Sequence, residues 1–321
     1  MSKNRRHHTA PLELSIEELL EEAQRTAIES IPANTRRAYA TDWNHFRNWC
    51  QKRSRGPLPA SADTVSAYLT ALSKTHAIAT MRRRLTTIGK LHRTAGKDDP
   101  TGDQRVKQVW RGILRSKGEA QRGKKPLLVD DLRRMMDTLP RTLQGQRDRA
   151  ILLLGFAGGL RRHELVALDV EDLEEVEEGL VVHLRRSKTD QTGKGSKKGI
   201  PYGKNAKTCP VRAVISWLRE AEIYEGPIFR PLSKHDTVRR SRLTAQSVAL
   251  VVKSSLRLIG KRPRDYSAHS LRSGLVTAAA IGGADERTIM KHTGHRSVQM
   301  VRRYIRDANL FRNNPATKAG L

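Results

Sequence analysis

Apolar side chains recur at helical spacing through the first third of the chain. Ser15 and Glu18 form an S-x-x-E capping box, which predicts a helix beginning at Ser15 after a flexible lead over residues 1–13. Further amphipathic segments follow, separated by proline or by polar residues. They predict helices at 35–49, 61–73, 79–95 and 106–116. We therefore expect an N-terminal tail with a short helix over residues 1–30 and an all-helical domain over residues 31–116.

The pattern changes after residue 116. Residues 117–125, KGEAQRGKK, are almost free of apolar side chains and predict an interdomain linker. A β-rich run at 181–184 predicts a hairpin with 199–202. Helical spacing predicts helices at 129–138, from 144 or 148 to 154, and at 210–223, 244–259, 269–281, 285–292 and 297–303. The expected fold class is mainly α with a small β-sheet (α+β): a mixed domain over residues 126–309 follows the linker, and a tail spans residues 310–321.

The charge balance points to a polyanionic partner. The chain has 61 Lys and Arg against 33 Asp and Glu, a net charge of +28. The basic residues recur through predicted folded segments, whereas a disordered basic arm would concentrate them in one block. This distribution favours a folded surface that surrounds nucleic acid, although a ribosomal or chromatin protein would carry the same charge. The candidate phosphate contacts in the first domain are Arg36, Arg37, Arg82, Arg83 and Arg84.

Other features of the composition narrow the class of protein. The two cysteines, Cys50 and Cys209, form no CxxC pattern and are expected to be free thiols in a reducing compartment. No run of eighteen apolar residues predicts a membrane span, and the basic N-terminus lacks the apolar stretch of a secretory signal. We therefore expect a cytoplasmic protein, associated with the bacterial nucleoid.

Two motifs early in the second domain carry candidate chemistry. In GGLRRHEL, Glu164 follows Arg161 by three residues, so the two side chains share a face if the segment is helical. In RSKTD, Lys188 follows the predicted strand and could reach into a groove. Taken alone, each motif is more often a surface turn. The nearby lysines Lys194, Lys197 and Lys198 are alternatives to Lys188.

Two further motifs lie near the end of the chain. HSLR places His269 and Arg272 on one face near the start of a helix that Ser267 is expected to cap. His295 is followed nine residues later by Tyr304, at the end of a helix with an apolar stripe. Taken alone, a partly buried histidine and a core tyrosine are the commoner interpretation. Tyr202 and Tyr266 are rival tyrosines outside any comparable series of motifs.

Together the candidate residues suit the cleavage of a phosphodiester. Two arginines can bind the non-bridging oxygens through bidentate bonds, two histidines can donate or carry protons near neutral pH, and a lysine can protonate the departing 5′-oxygen. A tyrosine hydroxyl can attack phosphorus, but its ordinary pKa of ~10 requires a neighbouring base or a cationic field. No cluster of Asp residues is placed to hold Mg²⁺, so we expect no metal and no cofactor.

In order and spacing, these motifs resemble the tyrosine recombinase (phage integrase) family, in its Cre-like and Xer-like branch. The family's catalytic set runs Arg, Glu or Asp, Lys, His-x-x-Arg, His or Trp, and Tyr. The resemblance assigns these roles to Arg161, Glu164, Lys188, His269, Arg272, His295 and the nucleophile Tyr304. The segments TRRAYATDWNHFRNWC and ATMRRRLTTIGKLHRTAG are similar to the family's core-binding domain. The resemblance alone prefers Arg161 to Arg162 and Lys188 to Lys194.

The resemblance implies a C-shaped clamp on double-stranded DNA with inverted-repeat core sites. It also implies a 3′-phosphotyrosine, a Holliday junction, a homotetramer on two DNA sites and no need for ATP. The tail at 310–321 would then dock on a neighbouring subunit. Because no separate arm-binding domain precedes residue 30, we expect a system that uses core sites alone. The alternatives are a DNA-binding protein that no longer cuts, a type IB topoisomerase, and a non-enzymatic basic protein such as a ribosomal component.

Overall fold

A computed structural model describes residues 31–118, 123–185, 195–295 and 297–308, with the side chains of 306–308 excepted. The chain divides into two compact units, Met1–Arg122 and Gly123–Leu321. The predicted helix at Ser15, part of the predicted linker, Lys188 and the tail at 310–321 lie outside the described residues. No helix among those residues is long and apolar enough to cross a membrane.

The first unit is helical, as its apolar spacing predicts. Its helices are α1 (Ala33–Gln51), α2 (Ala62–Ser73), α3 (Ile78–Thr94) and α4 (Gln104–Lys117). The Ser61 hydroxyl accepts the backbone N–H of Thr64 and so begins α2 at the predicted residue. Their apolar faces meet in a core centred on Phe46, Tyr68 and Met81. The predicted helix ends in this unit agree with the structure to within two residues.

The second unit surrounds one helix that is buried on all sides. Its helices are α5 (Val129–Thr138), α6 (Leu143–Ala157), α7 (Arg162–Ala167), α8 (Pro210–Glu220), α9 (Ala245–Leu258), α10 (His269–Ile281), α11 (Glu286–Thr293) and α12 (Val298–Ala308). Residues 150–154 of α6 are all buried, so this helix shows no amphipathic pattern in its sequence. The predicted helix at 297–303 ended too early, because α12 continues to Ala308.

A three-stranded antiparallel sheet completes the second unit. Its strands, in the order β1-β2-β3, are β1 (Leu173–Val176), β2 (Gly179–Leu184) and β3 (Ser196–Pro201). The predicted hairpin corresponds to β2 and β3, with Val181 opposite Gly199. β1 was not predicted, because its acidic, partly exposed sequence LEEV lacks the β-branched alternation of a strand. β1 pairs with the edge of β2 that faces away from β3.

One close backbone contact sets the position of α10, which carries two predicted site residues. The backbone N–H of Leu127 donates to the carbonyl of Ser270 at 2.9 Å. A Cβ at position 274 would overlap the carbonyl oxygen of Leu127, so Gly274 allows the chain to cross α10 at this distance. This crossing, at Ser270 and Gly274, lies within five residues of both His269 and Arg272.

Candidate active site

Two glycines at the end of α6 turn the chain toward the site. Gly159 has a positive φ of 54°, and a Cβ there would lie 2.9 Å from the Leu275 side chain. Such a conformation favours glycine. The turn brings Arg161 to the N-cap of α7, where its backbone is extended. The GG pair of the motif therefore presents the first arginine at the start of a short helix.

Glu164 holds Arg161 at two points. Its carboxylate accepts the backbone N–H of Arg161 at 2.9 Å and the Nη1 of the same residue at 2.6 Å. The Glu164 side chain is only 1% exposed, and that of Arg161 is 19% exposed. The pair therefore combines a helix cap with a largely buried, charge-assisted bond. These contacts favour Arg161 over the exposed Arg162 as the arginine of the motif.

Arg272 is a buried cation with hydrogen-bonding capacity to spare. The residue is 1% exposed, and its Nη1 donates to the carbonyl of Gly159 at 2.6 Å. Its Nη2 is buried without a hydrogen-bond partner among the described residues. Burial, and secondarily the nearby Arg161, lower the pKa of Arg272 to about 10. A buried guanidinium with an unused N–H next to a second cation is suited to an incoming anion.

His269 links the arginine pair to Tyr304. Its Nε2 lies 3.3 Å from the Tyr304 hydroxyl, across 35 positions of sequence. Burial of the ring, followed by Arg272 and Arg161, lowers the pKa of His269, so the imidazole is neutral at pH 7. Tyr304 lies on α12 and is partly buried, because the fully buried Val301 on this helix packs α12 against the core. The histidine is therefore placed to receive the phenol proton.

The start of α10 differs from the prediction in one detail. Ser267 does not occupy the N-cap position, which belongs to Ala268 in a helical conformation. The Ser267 hydroxyl nevertheless accepts the backbone N–H of His269 at 3.2 Å. The tight turn before the helix shifts the cap by one residue, and the serine still satisfies one free N–H at this helix end.

His295 presents an unprotonated ring nitrogen to the site. The Thr293 hydroxyl donates its single hydrogen to the carbonyl of Ile289 at 2.6 Å, so its oxygen must accept the Nδ1–H of His295, also at 2.6 Å. The Nε2 of His295 is then a bare acceptor, buried and without a partner among the described residues. Burial, and then Arg272 and Arg161, lower the pKa of His295 to about 4.

These residues line one open cavity of about 560 Å³. Arg161, His269, Arg272 and His295 all contribute to its wall, together with Met300 of α12. Glu164 lies behind Arg161, and Tyr304 lies beside His269. Six of the seven predicted catalytic residues thus converge, whereas Lys188 lies outside the described residues. Within the part of the chain that the structure describes, no group of His, Cys, Asp and Glu side chains could hold a metal ion.

Two further residues at this site were not among those to which the sequence analysis assigned a catalytic role. Lys198, one of the alternatives to Lys188, is buried on β3, and its ammonium donates to the carbonyl of His292. Burial and Arg272 lower the pKa of Lys198 to about 8, against the opposing effect of Glu164. The alternation on β3, with Lys198 and Ile200 buried between exposed neighbours, was a signal that could have singled out the lysine. Nothing in the sequence singled out His292.

The predicted arginines of the first unit differ in their surroundings. Arg83 makes a bidentate pair with the buried carboxylate of Asp42, with N–O distances of 2.7 and 2.9 Å. Arg84 is itself buried, against the Tyr68 hydroxyl and the His45 ring. Arg84 therefore turns inward and, unlike Arg82 and Arg83, offers no exposed side chain to the expected phosphate surface. Arg36, Arg37 and Arg82 are exposed.

Comparison with known proteins shows the family of the chain. Residues 125–310 match the Phage integrase family, and residues 27–97 match the Phage integrase N-terminal SAM-like domain. The chain is 40% identical over 302 residues to the integrase/recombinase xerD homolog of Selenomonas ruminantium, covering 93% of this chain and 89% of that protein. It is 26% identical over 280 residues to Recombinase cre of Escherichia phage P1, covering 81% of this chain and 80% of that protein.

Solved structures share the fold at low sequence identity. The Tn1549 transposon integrase in complex with transposon right end DNA superposes with a TM-score of 0.62 at 15% identity, covering 89% of this chain and 93% of that one. A lambda integrase dimer bound to a COC′ core site superposes with a TM-score of 0.58 at 16% identity, again covering 89% of this chain and 93% of that one. These structures show the fold, whereas the match to the family model and the 40% identical relative show that the chain belongs to the phage integrase family. It is a site-specific tyrosine recombinase, an enzyme that breaks and rejoins DNA strands.

Proposed function

We propose that Tyr304 is the nucleophile of this recombinase and that the cavity around Arg161 and Arg272 binds the scissile phosphate. The observation that carries this proposal is the 3.3 Å approach of the Tyr304 hydroxyl to His269 beside two converging arginines. The two guanidinium groups would hold the non-bridging oxygens and stabilise the charge that develops on them. Glu164 would keep Arg161 oriented during the reaction.

The cleavage step follows from these positions. The Tyr304 oxygen attacks phosphorus while His269 takes the phenol proton. The bond from phosphorus to the 5′-oxygen breaks, and the leaving oxygen takes a proton from a general acid, a role that the family resemblance gives to Lys188. The products are a 3′-phosphotyrosine and a free 5′-hydroxyl. Because the phosphotyrosine keeps the energy of the broken bond, the reverse attack by a 5′-hydroxyl reseals the strand without ATP.

The wider assignment rests on family membership. We propose that the chain acts as a homotetramer on two double-stranded DNA sites with inverted-repeat cores and exchanges strands through a Holliday junction. It would serve integration, excision or resolution of DNA in the bacterial cytoplasm, at the nucleoid. The net charge of +28 supports a DNA partner. The tail at 310–321 would dock on a neighbouring subunit, and its deletion should then impair assembly of the tetramer.

A covalent-trapping experiment tests the proposal. The protein is incubated, without added metal, with candidate core sites that carry a nick near the scissile phosphate. The nick lets the short fragment with the 5′-hydroxyl diffuse away after cleavage, so the strand cannot be resealed. Wild type should form an SDS-resistant adduct, and Tyr304→Phe, which removes only the hydroxyl, should form none. Sequencing the DNA end of the adduct maps the cleavage site. An adduct of equal yield from Tyr304→Phe would contradict the assignment of the nucleophile.

A further inference from the structure

A second layer of polar contacts lies behind the cavity, and Lys198 is its buried cation. The side chain of Lys198 projects from the inner face of β3, where Lys198 and Ile200 are buried while Lys197 and Gly199 are exposed. Its ammonium donates to the backbone carbonyl of His292, 94 positions later in the chain. This bond connects the sheet to the last turn of α11.

The ring of His292 makes a second connection from the same residue. Its Nε2 lies 2.8 Å from the carbonyl oxygen of Ala157. A carbonyl only accepts hydrogen bonds, so the Nε2 of His292 must carry the hydrogen and donate it. Ala157 is the last residue of α6, directly before the two glycines that lead to Arg161. His292 is therefore held by β3 through its carbonyl and by α6 through its ring.

The segment that follows His292 supplies two elements of the site. The Gly294 carbonyl accepts the Nη2 of Arg161 at 3.4 Å, and Gly294 itself adopts the left-handed conformation that ends α11. His295 comes next and places its free Nε2 in the cavity wall. Any movement of His292 would therefore be passed on to both His295 and the contact with Arg161.

We propose that Lys198 and His292 are a positioning pair, which holds the segment 293–295 in register with the two arginines so that His295 meets the phosphate. Neither residue needs to touch the DNA for this role. Burying an ammonium group beside two guanidinium groups costs free energy, and an apolar side chain would fill the same space at less cost. A buried polar residue directly behind the wall of a reactive cavity is a candidate for a role in the reaction. This inference rests on the proposed function of the cavity.

The experiment compares substitutions that remove each contact with substitutions that keep it. Lys198→Met removes the donor to His292, whereas Lys204→Met removes an exposed lysine just beyond β3 and is the matched control. His292→Leu removes the donor to Ala157, whereas His292→Gln retains an amide N–H at similar reach. Cleavage is measured under single turnover, with saturating protein, on the nicked DNA that wild type cleaves, and the Kd for the same DNA is measured separately.

Lys198→Met and His292→Leu should cleave about 10- to 100-fold more slowly, by analogy with the loss found when partners that orient metal-ligating side chains are removed. Their Kd for DNA should stay within about twofold of wild type, and His292→Gln and Lys204→Met should cleave at near the wild-type rate. A purely structural role would instead lower binding and cleavage together, which would overturn the proposal. Equal rates for His292→Leu and His292→Gln would also overturn it, and this comparison remains decisive if Lys198→Met fails to fold.

A measurement on the free protein separates this inference from the proposed function. The ring signal of His295 is followed by NMR against pH and assigned by its loss in His295→Asn. If the pair holds the segment in place, His292→Leu should let the ring reach solvent, and its pKa should rise from about 4 toward its ordinary value. An unchanged His295 titration in both Lys198→Met and His292→Leu would refute the positioning role. If wild type cleaves no DNA, the proposed function fails, while this titration still tests the pair.

Discussion

Protonation of His295 when the phosphate binds is a direct consequence of the site geometry. In the free protein its Nδ1–H is used by Thr293, so the Nε2 is a bare acceptor that would repel a phosphate oxygen. As long as the Thr293 hydroxyl donates to the Ile289 carbonyl, this nitrogen can donate to a phosphodiester between Arg161 and Arg272 only if the ring takes up a proton. We therefore predict that binding of the scissile phosphate is coupled to proton uptake by His295.

The size of the effect follows from simple electrostatics. Charging His295 at pH 7, about three units above a pKa of about 4, costs roughly 4 kcal/mol. One phosphate charge at ~4 Å, in a medium of effective dielectric constant about 20, returns about 4 kcal/mol, or roughly three pKa units. The pKa of His295 should thus rise to ~7 in the complex. Because the bound form has the higher pKa, affinity for the scissile phosphate should strengthen as pH falls from about 7 toward 4.

The assay is NMR of the histidine rings in Tyr304→Phe, free and bound to its core-site DNA, since this variant should bind without cleaving. His295→Asn, which cannot take up the proton, should lose the pH dependence of binding that His295 contributes. A His295 pKa that stays near 4 in the complex would refute the uptake of a proton by this ring when the phosphate binds. A value above 6 in the free protein would refute the account of its burial.

Three further predictions concern residues around the cavity. Arg272→Lys replaces a guanidinium that can donate two parallel hydrogen bonds by a point charge. Single-turnover cleavage should therefore fall about 10²–10³-fold with little change in DNA affinity. An unchanged rate would show that Arg272 does not take part in the reaction. Glu164→Gln leaves the charge of Arg161 uncompensated and should lower the free energy of unfolding by about 1–3 kcal/mol in urea titrations. Equal stability of the variant and wild type would show that solvent screens the ion pair between Arg161 and Glu164. Gly274→Ala places a methyl group against the Leu127 carbonyl and should lower Tm by several degrees, in contrast to Gly112→Ala on the open face of α4.

The sequence predicted the elements whose burial is one-sided. The helices of the first unit each bury a single face, so their apolar spacing is visible, and residues such as Ser61 mark their beginnings. The short helix α7 and the acidic strand β1 were missed because neither is long or apolar enough to produce a period. α6 is buried on all sides, and only its apolar run indicated its core position.

Prediction of the site depended on a different kind of signal. Arg161, Arg272 and Tyr304 are singled out by motif order, and each motif alone is common in unrelated proteins. Lys198 and His292 act through backbone carbonyls of distant segments, Lys198 toward α11 and His292 toward Ala157. Such partners are set by tertiary packing, which no local pattern encodes. The same limit explains Arg84, whose side chain turns inward although the two arginines before it are exposed.

The role of Tyr304 as nucleophile is decided by the identity of the amino acid that becomes joined to DNA. The SDS-resistant adduct formed by wild type is digested with nuclease and protease, and the peptide that retains a nucleotide is sequenced by mass spectrometry. We predict a phosphodiester on Tyr304, with the nucleotide attached through its 3′-phosphate. A nucleotide on any other residue, such as Tyr202 or Tyr266, or a linkage through a 5′-phosphate, would contradict it.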